Sequence, residues 1–387
     1  MSERKKTSLL SQLIPVMFAF FAMGFVDSIG TATNYVKESF NLSNRVASLC
    51  PSMVFFWFLV CSVPTGMLLN KIGRRKSVLI SLAITVGALI LPLIYYSFTS
   101  MMVVFALLGI SNTIMQVSLN PLVANVVTKE KLASTMTFGQ FIKAIASLVA
   151  PLLAAWFTAR TGNWLWVYGV FAVEGVIALL LLGKTDIHEE PLQGPPSTFT
   201  QCLALLGNGA ILLCFVGIVC HVGIDVGTNT SGPQLLMERL GWELKEAIFA
   251  SGIYFMFRMS GCLAGSFLLA KFSPKVIFAV SVGLMLSAMG GLFLFHSKWP
   301  LYLCFALIGL GNANIFPVIF SQALMRVPHK QNEVSGLMIM GLIGGTVFPL
   351  LMGYAADALH SQSGSVLVMT CAVLYLCGLT LQIKKIS

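Results

Sequence analysis

Five ionisable residues, Asp27, Lys143, Glu174, Asp225 and Arg258, sit in stretches that are otherwise apolar. A charge at the centre of a membrane helix costs about 2.5–3.5 kcal/mol on insertion scales, so such residues serve a solute or ion path or pair with one another. Asp27 lies in GFVDSIGTATN (24–34) and Asp225 in GIDVGTNT (223–230). In each, a glycine and a threonine-rich tract follow the acid, and such tracts can unwind where they line a cavity. The chemistry open to both acids is reversible protonation. Lys143 and Arg258 either neutralise them or hold an anion, the guanidinium bidentately. Glu174 reads as structural.

Amides supply the hydrogen bonds a polyhydroxylated solute requires: Asn112, Gln116, Asn120, Gln140, Asn312 and Asn314. Gln116 and Asn120 are four residues apart and stack on one helix face, with Asn112 a further turn back. Their plainer use is interhelical bonding, worth about 0.6 kcal/mol per bond. Thr31 and Asn34, in the tract after Asp27, join the candidate substrate contacts, and Trp57 and Phe316 are candidate stacking platforms. No HExxH or nucleophile constellation is present, and the nine cysteines include no CxxC pair. They read as small apolar fillers, so no metal, no cofactor and no enzyme activity are expected.

The elements that must hold these residues follow from composition. Of 387 residues 57% are hydrophobic and 10% charged, where a soluble domain carries about 25% charged residues. Apolar runs of about twenty residues recur, the length of a membrane-crossing helix. We read twelve, spans 1 to 12: 12–36, 46–69, 77–97, 101–126, 133–158, 164–183, 204–227, 247–270, 274–295, 299–325, 334–356 and 364–383. The first is too long for a signal-peptide core and is retained. Of the 24 Lys and Arg, sixteen fall on the side of the N-terminus, six on the other, and two (Lys143 and Arg258) inside spans. That bias puts both termini in the cytoplasm and explains the net charge of +10 without nucleic acid.

The chain is also duplicated, at an offset of about 199 residues. LLGISNT (107–113) returns as LIGLGNA (307–313), APLLAAW (150–156) as FPLLMGY (348–354), FVD (25–27) as GID (223–225) and VFFWF (54–58) as IYFMF (253–257). Residues 1–185 and 202–387 are thus two six-helix bundles, joined by a proline-rich cytoplasmic linker over 186–201. The expected fold is an all-α membrane protein of two pseudo-symmetric bundles. Such transporters bind solute near the bilayer midplane, at the interface of the repeats, and work by alternating access.

GMLLNKIGRRK (66–76) resembles the signature loop of the major facilitator superfamily, with Asn70 in the acidic place. The resemblance implies a cytoplasmic gate formed by Gly66, Asn70, Gly73, Arg74 and Arg75. QVSLNPLVANVV (116–127), FGQFIKAIASLVAPLL (138–153), HVGIDV (221–226), FRMSG (257–261), NANIFPVIFSQAL (312–324) and SGLMIMGLIGGTVFPLLMGYAAD (335–357) are similar to segments of its fucose, glucose and galactose proton symporters. This implies Gln116, Asn120, Gln140, Arg258 and Asn312 as sugar-cavity residues and a span 1 acid as proton carrier. Matching MGF (23–25) puts the family aspartate near Thr31, one turn beyond Asp27. Lys143 stands where the family has a neutral polar residue, which favours a sugar acid such as sialic acid or a uronate.

The expected function is secondary active transport, with proton symport importing a neutral hexose or deoxyhexose, or a sugar acid. Asp27 and Asp225 are the proton-coupling candidates. An exporter or antiporter of drugs or metabolites is the other reading; it requires a greasy cavity with few amides. The expected setting is a bacterial inner membrane, as a monomer whose partners are solute, protons and lipid.

Overall fold

The computed structural model describes residues 9–43, 46, 49–189, 197–247 and 249–383. Arg4, Lys5, Lys6, Arg45, Lys384 and Lys385 of the charge count, and residues 190–196 of the linker, lie outside them. Among the described residues twelve helical stretches are long and apolar enough to cross a membrane. They are Leu9–Ser39, Leu49–Ile72, Arg74–Ile94, Phe98–Val126, Lys129–Thr161, Trp166–Lys184, Gly209–Leu240, Phe249–Lys271, Pro274–Leu294, Lys298–Arg326, Pro328–Leu359 and Ser363–Gln382. These correspond one for one to spans 1–12.

The chain divides into two compact units. The first comprises residues 1–128, 142–202 and 329–340, the second 129–141, 203–328 and 341–387. The start of span 5 therefore belongs to the second unit and the start of span 11 to the first. In the first unit Phe20, Phe105 and Phe171 are fully or almost fully buried, and in the second Tyr254, Phe278, Phe305 and Phe320 are.

The duplication is visible in how close the helices come. In the first unit a Cβ built on Gly109 of span 4 would stand 2.7 Å from the Val54 carbonyl oxygen of span 2. In the second, one on Gly309 of span 10 would stand 2.4 Å from the Tyr254 carbonyl oxygen of span 8. Small residues let membrane helices approach to backbone contact, and here the same crossing is built twice.

Three spans are interrupted. Span 1 tightens into a 3-10 turn over Phe25–Ser28, span 10 breaks after Asn312, and span 11 passes through a 3-10 turn at Gly341–Ile343. The first interruption falls on Asp27 itself and not on the following GTAT, which is helical. The GTNT tract does not unwind either: span 7 is a single helix from Gly209 to Leu240, well past its expected end at 227. Thr33, Thr228 and Thr230 each donate a hydroxyl to the carbonyl four residues back, at 2.8, 2.7 and 2.9 Å, and Asn229 Nδ2 does the same to Asp225 O at 2.9 Å.

Candidate functional site

In the first unit the 3-10 turn presents Asp27 to span 5. Its Oδ2 lies 3.0 Å from Lys143 Nζ and 3.4 Å from the Ser147 hydroxyl. Ser147, one turn beyond Lys143, also donates to the Gly24 carbonyl at 3.0 Å. The crossing is tight, since a Cβ on Gly24 would come within 2.3 Å of the Lys143 carbonyl oxygen. Glycine at 24 thus lets the backbones close until lysine and aspartate meet. Asp27 remains 41% exposed and Lys143 13%, so the carboxylate is the accessible member of the pair.

In the second unit Asp225 is clamped. Arg258 Nη1 donates to both its oxygens, at 3.0 and 2.9 Å, and the Tyr254 hydroxyl to Oδ1 at 2.5 Å. Tyr254 in turn accepts from Asn312 Nδ2 at 2.9 Å, and Asn312 Oδ1 lies 2.7 Å from His221 Nδ1. The carboxylate sets the direction of every link. An ionised Asp225 can only accept, so Tyr254 must donate to it and accept from Asn312. That turns the amide oxygen toward His221, which must carry its proton on Nδ1. Tyr254, His221 and Asn312 are all buried.

The carboxylates are thus repeat partners, but their cations are not: Lys143 comes from span 5 and Arg258 from span 8. The structure brings Asp225, a proton-coupling candidate, together with Arg258 and, through Tyr254, Asn312, both candidate substrate contacts. Tyr254 and His221 were missed, although each stands four residues before a singled-out charge, Tyr254 before Arg258 and His221 before Asp225. One helical turn places such pairs on a common face.

The span 4 amides are deeply placed. Asn112, Gln116 and Asn120 are all buried, and Asn120 Nδ2 donates to the Gln116 carbonyl at 2.8 Å. Asn112 Oδ1, Asn120 Oδ1, Asn314 Oδ1 and Trp57 Nε1 have no hydrogen-bond partner among the described residues. Buried polar atoms are nearly always satisfied, so these are unused hydrogen-bonding capacity. Asn314 lies against span 8, where a Cβ on Gly265 would meet its Oδ1. Thr31 and Gln140 are half-buried and Asn34 is exposed, with Thr31 beside Trp164 and Tyr168 in a small crevice. Phe316 tilts against His221 at 6.0 Å and Phe320 at 5.3 Å, both core partners. Glu174 pairs with nothing among the described residues: both its oxygens are buried without a hydrogen bond.

The signature loop lies in a third cluster, within the first unit. Asn70 Nδ2 donates to Glu333 Oε1 at 2.7 Å and its Oδ1 accepts from Asn332 at 2.6 Å. Arg74 reaches Asn332 Oδ1, Gln331 Oε1 and Asn125 Oδ1 at 2.7, 3.0 and 2.5 Å. Gly66 is where the helices cross, since a Cβ there would meet the Asn332 carbonyl oxygen at 2.7 Å. Gly73 takes a left-handed φ of 87° that starts span 3 at Arg74. The Glu189 carboxylate then accepts from the backbone N–H of Arg74 and Arg75 at 2.6 and 2.8 Å, an anion on a helix N-terminus. Pro121 lacks the N–H that would cover the Val117 carbonyl, and Ser335 donates to it at 2.6 Å. Sequence reasoning missed Glu333 and Glu189, one just ahead of a predicted span and the other in the linker. Beside this cluster, burial and the Glu333 charge push the Cys202 thiol up to about 11, against Lys330.

No group of His, Cys, Asp or Glu able to hold a metal ion occurs among the described residues. The arrangement is suited to exchanging ion pairs and hydrogen bonds with a solute.

Comparison with known proteins identifies the family and the fold. The chain is 23% identical over 384 residues to a glucose/galactose transporter of Brucella abortus, covering 93% of this chain and 91% of that protein. It is 22% identical over 386 residues to a putative glucose/galactose transporter of Helicobacter pylori, covering 94% and 93%. Among solved structures it is similar to the Escherichia coli fucose:proton symporter FucP, with a TM-score of 0.82 at 14% identity over 98% of this chain and 100% of that one. It is also similar to the proton:xylose symporter XylE, with a TM-score of 0.74 at 14% identity over 97% and 96%. At these identities the two structures speak for the fold. The family model of the Major Facilitator Superfamily matches residues 16–349, and the chain belongs to that family of membrane transporters.

Proposed function

We propose that this protein is a proton-coupled importer of a neutral monosaccharide, a hexose or deoxyhexose, working by alternating access in a bacterial inner membrane with both termini cytoplasmic. The observation that carries the choice of solute is that each cation expected in the substrate path already has a carboxylate, Lys143 with Asp27 and Arg258 with Asp225. A sugar acid would have to displace one of them, whereas a neutral sugar needs only hydroxyl partners. Span 4 carries amides of the kind such hydroxyls require, Asn112, Gln116 and Asn120. The relatives named as glucose/galactose transporters support the same class.

Asp27 is the proton carrier. Its carboxylate is the exposed member of its pair, and protonation cancels the attraction that holds Lys143. Lys143 is then free to donate to a sugar hydroxyl, so proton and sugar favour one another. Asp225, held by Arg258 and Tyr254, orders the second unit for binding. Asn70, Arg74, Asn332 and Glu333 form the cytoplasmic gate.

The test is external pH in a weakly buffered suspension of de-energised cells expressing the protein, on adding glucose, galactose, fucose and, in parallel, glucuronate and sialic acid. The expected result is alkalinisation with at least one neutral sugar, lost in Asp27→Asn while sugar exchange persists. Alkalinisation with the sugar acids alone would refute the neutral solute. Uphill sugar uptake by Asp27→Asn would refute Asp27 as the carrier.

A further inference from the structure

At one end of the second unit, Trp242, Glu246, Phe249, Ile253, Lys298 and Tyr302, with Trp299, surround a cavity of about 560 Å³. This lies within the range of small-ligand pockets, roughly 300–1,000 Å³. It is formed where span 7 ends and spans 8 and 10 begin, and its lining includes none of Asp225, Tyr254 and Arg258. The opposite end of the same unit carries Lys271, Lys275 and Arg326, the cytoplasmic end on the charge bias. The cavity therefore opens where an imported solute arrives.

Its chemistry is specific. Lys298 Nζ lies 5.5, 5.3 and 5.6 Å from the ring centres of Trp242, Trp299 and Tyr302, a cation held by three aromatic faces. The rings brace one another, Trp242 and Trp299 lying edge-on to Tyr302 at 6.0 and 6.1 Å. Trp299 is nonetheless 74% exposed. Glu246 adds one acid to one base, and among the described residues neither side chain spends its charge on a salt bridge. A cationic ligand would meet the Lys298 ammonium, and an anion would meet the Glu246 carboxylate. A neutral ring with apolar C–H faces and peripheral hydroxyls suits both parts, the faces on indole and the hydroxyls on carboxylate and ammonium. Trp and Tyr also form belts at membrane edges, with lysine reaching to the interface. A belt accounts for the exposed rings, but it requires neither the cavity nor the acid.

Resting on the monosaccharide reading above, we propose that Trp242, Glu246, Lys298, Trp299 and Tyr302 form an outer sugar-binding vestibule, a docking site that the monosaccharide occupies before it reaches the transport site.

Two measurements test it. In proteoliposomes, Trp242→Ala/Trp299→Ala should raise the KM for sugar entry by about tenfold, the weight of one or two aromatic contacts, with the kcat for entry unchanged and kcat/KM for efflux lowered by the same factor, as microscopic reversibility requires. A belt anchor would instead lower the amount of inserted protein and leave KM alone, and that result overturns the proposal. In a full-length variant with Trp57, Trp156, Trp164 and Trp166 all changed to Phe, glucose, galactose or fucose should protect the two remaining tryptophans from acrylamide quenching. Protection should be lost in Glu246→Gln/Lys298→Met. Absence of protection by any of the three sugars, or protection only by anionic lipid vesicles or tetramethylammonium, overturns the vestibule. This assay needs no transport, so failure of wild-type uptake would count against the symport reading while leaving the vestibule to be judged on protection.

Discussion

Replacing Tyr254 by Phe removes one oxygen from a fully buried ring and should cost more than a membrane hydrogen bond usually does. The hydroxyl donates to the Asp225 carboxylate at 2.5 Å and accepts from Asn312 at 2.9 Å. Bonds to a charged group contribute about 1.5–3 kcal/mol, against an average of about 0.6 for interhelical bonds in a membrane protein. The second bond adds to this, because Asn312 Nδ2 is left only the His221 carbonyl at 3.5 Å. We expect a total loss of about 3 kcal/mol and a Tyr254→Phe/Asp225→Asn coupling energy of about 1.5–3 kcal/mol. The assay is equilibrium unfolding in detergent for wild type, both single variants and the double variant. Tyr168→Phe is the control: that hydroxyl is equally buried but has no hydrogen-bond partner among the described residues, so its removal should be neutral or stabilising. A coupling at or below about 0.6 kcal/mol, or equal losses for the two tyrosines, would refute the charge-assisted network.

Gly309→Ala should destabilise by about 1–3 kcal/mol, because the new methyl meets the Tyr254 carbonyl oxygen at 2.4 Å; a lowered melting temperature with the fold retained checks it. Glu333→Gln should be nearly silent in stability, since a glutamine oxygen can still accept from Asn70 and Ser197, whereas Glu333→Ala orphans both donors and should cost about 1–3 kcal/mol; unfolding midpoints of the two variants decide it. The Cys202 thiol, raised to about 11, is protonated at neutral pH and loses its proton only as pH climbs toward that value. The thiolate absorbance of Cys202, taken as the difference between wild type and Cys202→Ser, should therefore be absent at pH 8 and appear only as pH climbs toward 11. A thiolate signal at pH 8 would contradict the raised value.

The spans were legible because hydrophobic length is imposed by the bilayer and needs no partner to be recognised. Lys143 and Asp225 were legible as anomalies for the same reason. What escaped was partnership. Nothing local marks Tyr254 as the donor to Asp225, since a tyrosine in IYFMF reads equally well as core, and only span packing brings its hydroxyl there. Glu333 was overlooked because it stands at the start of its span, where an acid is ordinary, yet it faces the asparagine that replaces the acid of the signature loop. The unwinding expected of the threonine tracts failed on a local competition. A threonine hydroxyl can cover a freed carbonyl or bond back within an intact helix, and here the second use prevails: the carbonyl of the GTNT tract that Pro233 leaves without its N–H partner, that of Asn229, accepts from Ser251 at 3.4 Å and, among the described residues, from no threonine.

The difference between the repeats bears on division of labour. Asp27 and Asp225 occupy equivalent places, so a common ancestor segment supplied one position twice. Around Asp225 the helix is continuous and the carboxylate has an arginine and a tyrosine, three hydrogen bonds that a proton would have to displace. Around Asp27 the helix tightens into a 3-10 turn and the carboxylate has one lysine and one long hydroxyl contact, with solvent-accessible surface to spare. A group that must gain and lose a proton in every cycle needs access and few competing donors, whereas a group that orders its surroundings needs the reverse. On the proposed reading, duplication supplied two acids, one left exposed beside a single lysine and the other clamped by an arginine and a tyrosine. On this argument Asp225→Asn should weaken folding and sugar affinity together, while Asp27→Asn should uncouple the proton and leave the fold intact.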